Sequence, residues 1–402
     1  MIDIDDAYPI LFANIRPLPA VETPLPQAVY RTLARPVTMD VDDPPFDKSV
    51  MDGYAVRSVD VANAPVTLRV AGSIAAGTVY AGPFGVAEAM QINTGAPIPA
   101  GADAVVRVED TEATDDGQVM VRKSVPVGNF ITPKGTNIRA GREVLPIGGR
   151  LTPPAVGAAA AAGAARVVVY RRPKAGVLVT GDEIVEVGRR PGAAQIRNSN
   201  ETLLIGLIES AHAEAIPLGM APDERRVLLD RIRSGLCHDL LCLTGGISMG
   251  VKDLVPDVLL ELGAVFHFRK LAIKPGRPVI FATMPNGTSV FALPGNPASA
   301  FVGFELLVRP ALAALEGRPG QIPPWANVTL ESAIPKTGDR RTYLPARMIL
   351  DDNAAWRVMP LPWQGSGDVF GLARADALIM RPPYAPQADR GETVLVYRIH
   401  YD

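Results

Sequence analysis

The chain is 402 residues long, 48% apolar and 20% charged, which is enough apolar surface for more than one core and excludes wholesale disorder. Forty Lys and Arg against 42 Asp and Glu leave a net charge of −2, so no general electrostatic case exists for a nucleic-acid or membrane partner. An anionic ligand has to be met by a local cluster. Cys237 and Cys242 fit no metal spacing and are expected as ordinary core thiols. Residues 1–6 carry no basic n-region, and the alanine-rich run 155–165 is well short of the roughly 20 residues that span a bilayer. A cytoplasmic setting without a membrane segment is expected.

In chain order, residues 27–34 can form a helix that Arg35-Pro36 ends. Residues 36–149 read as short β runs, such as 66–70, 104–108 and 118–122, broken by turns such as Asp43-Pro44-Pro45 and Asp116-Gly117. Residues 153–165 are helix-prone and lead into a strand at 166–170; together with the first segment they are expected to form a connecting element. From 173 the period changes. A strand at 175–179 is followed by an amphipathic stretch at 201–213, a short run at 215–218 and helical spacing over 223–234. Then come a strand at 239–243, a helix at 254–262, strands at 279–282 and 289–293, and a long helix at 298–315 ended by Gly317. Alternating strands and helices imply a parallel sheet covered on both faces. The tail returns to strands at 341–350, 356–359 and 393–399, the pattern of a small β-barrel.

In such a sheet, ligands bind beyond the carboxyl ends of the strands. Three loops there are unusual: Thr180-Gly181-Asp182-Glu183, Thr244-Gly245-Gly246-Ile247-Ser248-Met249-Gly250 ahead of Asp253, and Pro294-Gly295-Asn296-Pro297. The glycines of the second let backbone N–H groups converge on a phosphate; a tight turn without ligand is the alternative. The same loop matches the Gly-x-Ser-x-Gly elbow of hydrolases at Ser248, but His212, His238, His267 and His400 offer no well-placed base, which disfavours that reading. In the extended run 270–274, Lys270 and Lys274 would share one face and could neutralise an oxyanion, with Arg277 adding a planar fork. Asp52, in Met51-Asp52-Gly53-Tyr54, and Thr94, in Asn93-Thr94-Gly95-Ala96-Pro97, sit in turns that taken alone are ordinary structural turns.

These motifs, with Gly101-Ala102-Asp103-Ala104-Val105-Val106, occur in the order found in the MoeA family, which the chain resembles along nearly its whole length. The resemblance implies a multidomain α/β-plus-β fold. Its parts would be an elongated connecting domain (1–35 and 150–172), an inserted β domain (36–149), a MogA-like molybdopterin-binding three-layer α/β domain with a parallel-dominated sheet (173–320), and a C-terminal β-barrel (321–402). It implies a homodimer in which Asp52 and Thr94 act in trans. The reaction implied is molybdenum cofactor biosynthesis: molybdate is inserted into adenylylated molybdopterin with release of AMP.

By the same resemblance Asp52, Thr94, Asp182, Glu183, Lys270 and Lys274 are catalytic. Thr244, Gly245, Gly246, Ser248, Gly250, Asp253, Pro294, Gly295, Asn296 and Pro297 hold the pterin phosphate. Asp52, Glu183 and Asp253 face Mg²⁺, and Arg341 and Ser366 bind molybdate. A MogA-like molybdopterin adenylyltransferase and molybdoenzyme targets are the implied partners. One departure stands out: after Asn137-Ile138-Arg139 the family's Gly-Glu-Asp stretch is absent, and Ala140-Gly141-Arg142-Glu143 follows at once. The competing reading is therefore a non-catalytic molybdopterin or molybdenum-cofactor binding or scaffold paralogue, as in the related domain of gephyrin.

Overall fold

The computed structural model describes residues 1–114, 116–247 and 254–399. The chain divides into two compact units, one of Met1–Thr23, Tyr30–Ala34 and Val168–Asp402, the other of Pro24–Val29 and Arg35–Val167.

The first unit begins with helix α1 (Ile4–Ala13), whose N-cap Asp3 accepts from the Asp5 N–H. Its α/β part runs β1 (Lys174–Thr180), α2 (Ser199–Ser210), β2 (Glu214–Ala221), α3 (Arg225–Gly235), β3 (Leu240–Thr244), α4 (Val255–Glu261), β4 (Val265–Lys270), β5 (Pro278–Thr283) and β6 (Ser289–Leu293). Every residue of β3 and β6 is buried, as expected for strands covered on both faces. The spatial order is β2-β1-β3-β6-β5-β4. The first four strands are parallel, while β5 and β4 are antiparallel additions. The reason is local: β5 and β6 are joined by a hairpin in which Gly287, at φ 91°, donates to the Met284 carbonyl, and so short a link cannot make a parallel crossover.

The long helix expected at 298–315 is composite: α5 (Pro297–Gly303), a π-helical turn (Phe304–Val308) and α6 (Arg309–Leu315). Pro310 has no N–H for an i→i−4 bond, which accounts for the altered winding just ahead of it. The run Pro297–Leu315 is long and apolar enough to cross a membrane, yet 94% of its most apolar window is buried inside the protein, as in a core helix. Within it Glu305 is fully buried and accepts from Arg309 Nε and Nη2, both at 2.8 Å, and from the Tyr397 hydroxyl at 2.9 Å.

Tyr397 belongs to the barrel, which comprises β7 (Trp325–Leu330), β8 (Arg341–Leu350), β9 (Trp356–Pro360), β10 (Ala377–Arg381) and β11 (Thr393–Arg398). The ring β8-β9-β7-β11-β10 closes through β8–β10 pairing. Strands β7 and β10 add to the three runs expected for the tail. The Glu305–Tyr397 bond thus links the core helix of the α/β part to the barrel.

In the second unit, a six-stranded sheet has the order 104–107, 53–56, 88–92, 66–74, 118–121, 111–113. Helix Pro153–Ala161 is capped by Thr152 Oγ1, which accepts from the Ala155 N–H. Two expectations fail. Residues 27–34 form no helix beyond the single 3₁₀ turn Leu25–Gln27, because Tyr30 adopts a left-handed φ of 62°. Of the two cysteines only Cys242 is a core thiol; Cys237, just past the end of α3, is exposed.

The Glu305 cluster yields a stability prediction. Tyr397→Phe, which removes one donor, should cost about 1–2 kcal/mol. Arg309→Leu, which leaves the carboxylate buried without its cation, should cost about 3–5 kcal/mol. Denaturant titration checks both, and equal losses would contradict the assignment.

Candidate functional site

Strands β1, β3 and β6 are neighbours, so the three loops that follow them converge. Close approach is what brings them together: a Cβ on Gly245 would lie 2.1 Å from the Thr180 carbonyl oxygen, and one on Gly246 would lie 2.9 Å from Thr180 Oγ1. Both glycines also take left-handed φ, 95° and 61°. The result is a cavity of about 380 Å³ lined by Thr180, Gly181, Glu183, Thr244, Gly245, Gly246, Ile247, Pro294, Gly295 and Asn296, together with Asn200 and Asp223.

Beneath it, Thr244 Oγ1 donates to the Pro294 carbonyl at 3.0 Å. Asn200 Nδ2 donates to Thr244 Oγ1 and to the Gly295 carbonyl, both at 2.8 Å. Asn200, near the start of α2, thereby joins the second and third loops. Asp182 is not part of this lining; its Oδ1 accepts from the Asp223 N–H at 3.0 Å, and Asp223 lines the cavity instead.

A second cavity of about 550 Å³ shares Pro278, Pro294 and Asn296 with the first and extends to the barrel. Four cationic side chains line it: Lys274, Arg277, Lys336 and Arg340. Ser366 lines it too, its Oγ accepting from Asn296 Nδ2 at 2.9 Å, while its carbonyl accepts from the Ala298 N–H at 3.0 Å.

Arg341 is not in that lining. Its Nη1 and Nη2 donate to the Asp5 carboxylate at 3.0 and 2.7 Å, with Asp3 Oδ1 also 3.0 Å from Nη2. Arg341 holds the Asp5 carboxyl below the usual carboxylate range through that hydrogen bond. The difference is local: Arg340 lies in the bend just before β8, whereas Arg341 is the first residue of β8 and is held by the N-terminal carboxylates.

Lys270 and Lys274 do not share one face as a continuous extended run would. The backbone bends at Ala272; Lys270 ends β4, whereas Ile273 and Lys274 pair in parallel with Arg341 and Thr342 of the barrel. Lys270 lines a third cavity, about 690 Å³, with Ile247, His267 and Arg277. Pro297 opens helix α5 behind the third loop. Ser248, with its elbow motif, Gly250 and Asp253 lie outside the described residues; His267 is engaged with Thr283 Oγ1 at 2.9 Å.

In the second unit, the antiparallel register Gly53↔Ile92 sets Asp52 against the turn after Ile92. Gly53 is required there, because a Cβ would lie 2.0 Å from the Val106 carbonyl oxygen. The Thr94 N–H and Oγ1 donate to Asp52 Oδ1 at 2.6 and 3.0 Å. These bonds, the backbone one foremost, hold the Asp52 carboxyl below the ordinary range, so it is anionic at neutral pH. Just after Arg139, Asp42 Oδ1 holds the turn by accepting from the Ala140 N–H at 2.8 Å. Among the described residues no three His, Cys, Asp or Glu side chains converge as a ready metal cluster.

Sequence reasoning missed Asn200, Asp223, Lys336 and Arg340. The only local signal near Asn200 is Asn198, whose Oδ1 caps α2 by accepting from the Glu201 N–H at 3.2 Å.

Residues 2–163 match the MoeA N-terminal region (domain I and II), 176–314 a probable molybdopterin binding domain, and 327–399 the MoeA C-terminal region (domain IV). A Haemophilus influenzae protein named molybdopterin molybdenumtransferase is 34% identical over 378 residues, covering 92% of each chain. The chain belongs to the MoeA family. A Bacillus subtilis MoeA relative with the same protein name is 33% identical over 93% of this chain and 89% of its own. The crystal structure of a MoeA protein of molybdopterin biosynthesis from Pyrococcus horikoshii matches with a TM-score of 0.84 and 31% identity, covering 100% of this chain and 99% of that one.

Gly245→Ala should lower the thermal midpoint, since neither the left-handed φ nor the Thr180 carbonyl leaves room for a methyl group; a wild-type midpoint would contradict the packing. Thr94→Val removes the hydroxyl donor but keeps the backbone one, so the Asp52 titration followed by carboxyl NMR should move up toward, without reaching, the ordinary aspartate range. The folded value being depressed, the contribution of Asp52 to stability is present above the unfolded value and is lost as pH falls through the folded one.

Proposed function

We propose that the chain is a molybdopterin molybdenumtransferase that takes adenylylated molybdopterin and molybdate and releases molybdenum cofactor and AMP. The observation that carries this is the pair of adjoining cavities. One is walled by glycine loops whose backbone can approach a phosphate closely; the other is lined by Lys274, Arg277, Lys336 and Arg340 and suits a tetrahedral oxyanion. Asn296 lies at their junction and binds Ser366, so a ligand in the first compartment meets the second across one side chain.

The pterin phosphate is assigned to the Thr244–Ile247 and Pro294–Asn296 loops, and molybdate to the cationic cavity, with Arg340 in the role the resemblance gave to Arg341. Lys274 and Arg277 hold the oxyanion against the dithiolene, and water cleaves the phosphoanhydride to free AMP. The chemistry of the donors suits Mg²⁺, which commonly binds through one or two carboxylates plus substrate phosphate. Glu183 would hold the ion, with Asp253 and Asp52 as the further acids the resemblance implies; when bound it would neutralise charge between phosphate and carboxylates. The working form is taken to be a homodimer in which Asp52 of the partner subunit meets this cleft. The shortened turn after Arg139 favours a second reading, a binding or scaffold paralogue, and tight pterin binding without turnover would select it.

Purified chain with adenylylated molybdopterin, Mg²⁺ and molybdate should release AMP and form cofactor that activates an apo-molybdoenzyme; no release above background rejects the enzyme. Arg340→Ala should raise the apparent molybdate constant about tenfold or more, the loss of one charge-assisted hydrogen bond of roughly 1.5–3 kcal/mol. Arg341→Ala should leave that constant near wild type and lower stability instead; the reverse pattern would restore Arg341 to the site. Asp52→Asn and Lys274→Ala homodimers should each be slow, and mixed dimers of the two should regain activity if Asp52 acts in trans. Absence of complementation would count against the shared site.

A further inference from the structure

The hydrogen bonds below the first cavity have fixed directions. The Pro294 carbonyl can only accept, so the Thr244 hydroxyl proton is committed to it at 3.0 Å. The Thr244 oxygen then accepts from Asn200 Nδ2, whose other proton goes to the Gly295 carbonyl, each bond being 2.8 Å long. Both Asn200 partners are acceptors in this arrangement, which assigns the amide: nitrogen toward the two loops, Oδ1 on the other side. Asn200 Oδ1 is buried with no hydrogen-bond partner among the described residues, and so is Thr180 Oγ1. The two residues are only 6% and 2% exposed, and both line the same cavity. A buried polar atom left unpaired costs about 1–3 kcal/mol, and two such atoms beside one cavity call for a ligand that pairs them.

The chemistry of the atoms selects the ligand group. An amide oxygen only accepts, so it repels phosphate or molybdate oxygen and requires a donor. The Thr180 hydroxyl can donate or accept. A neutral edge carrying N–H beside a carbonyl or ring nitrogen satisfies both; an oxyanion satisfies only the hydroxyl.

We propose that Asn200 Oδ1 and Thr180 Oγ1 form a recognition pair for the neutral N–H-bearing edge of the pterin heterocycle, with Asn200 Nδ2 at the same time locking the two loops that receive the phosphate. The inference rests on the reading in the preceding section and adds to it which part of the substrate is read here.

Thr180→Val removes a hydroxyl that has no hydrogen-bond partner among the described residues and keeps the side chain's shape. The unliganded full-length variant should therefore melt at or above the wild-type temperature, while its dissociation constant for adenylylated molybdopterin rises about 3- to 10-fold, the scale of one neutral hydrogen bond. Asn200→Leu should raise the pterin-nucleotide KM about tenfold or more, with the apparent molybdate constant and the affinity for free AMP both within about twofold of wild type. If Asn200→Leu fails to fold, Thr180→Val carries the test alone. Wild-type pterin affinity in Thr180→Val overturns the inference, as does an equal loss of AMP affinity, which would put the contacted edge on the nucleotide. A wild-type chain that neither binds nor turns over the pterin nucleotide rejects the preceding reading; one that turns over normally while Thr180→Val behaves like it rejects only this inference.

Discussion

The site depends on how closely the ends of β1 and β3 approach. The Thr180 carbonyl occupies the space in which any side chain at position 245 would begin, while position 246 is constrained by its left-handed φ of 61° with the Thr180 hydroxyl close by. Glycine at both positions lets the second loop fold back over the first strand end, and without that approach the third loop would have no wall to face. The requirement is steric and therefore strict, since neither a left-handed φ nor a backbone collision is relieved by repacking nearby side chains. The hydrogen bonds of Asn200 and Thr244 act on geometry that the glycines have already made possible.

Around that contact the fold supplies rigidity and charge separately. Rigidity comes from β3 and β6, buried along their whole length, and from the core helix that carries Glu305. Charge comes largely from outside the sheet: Lys274 sits where the chain leaves the α/β part to pair with the barrel, while Lys336 and Arg340 belong to the approach to β8. The Glu305–Tyr397 bond ties these two parts together through the core, and the Asn296–Ser366 bond does so at the cleft itself. A cavity built this way has a stiff floor edged by the Glu183 and Asp223 carboxylates and a cationic wall. That arrangement suits a large ligand carrying one anionic group beside a smaller free anion.

The second unit follows the same logic on a smaller scale. Asp52 would be an unremarkable turn residue if Gly53 did not let its strand press against the Val106 carbonyl, and if the antiparallel register did not bring Thr94 opposite it. Two donors on one carboxylate oxygen keep that group charged and oriented.

Much was legible in the sequence because it is encoded locally. The apolar runs that became β1, β3 and β6, the glycines at 245 and 246, and the long helix after Pro297 all follow from rules with a reach of a few residues. So does the ordered set of motifs that points to the MoeA family. What the tertiary structure alone decided are choices between neighbours and contacts across long separations. Of Arg340 and Arg341, identical in type and adjacent in sequence, one lines the cleft from the bend before β8 and the other, at the start of β8, is held by Asp5 of the distant N-terminal helix. Lys270 and Lys274 separate because a bend at Ala272 and pairing with β8 override the two-residue period. Asn200 reaches Thr244 and Gly295 across 44 and 95 residues of chain. No local pattern records such a contact, because its energy is gained only after the sheet has brought both loops to the same end of the molecule.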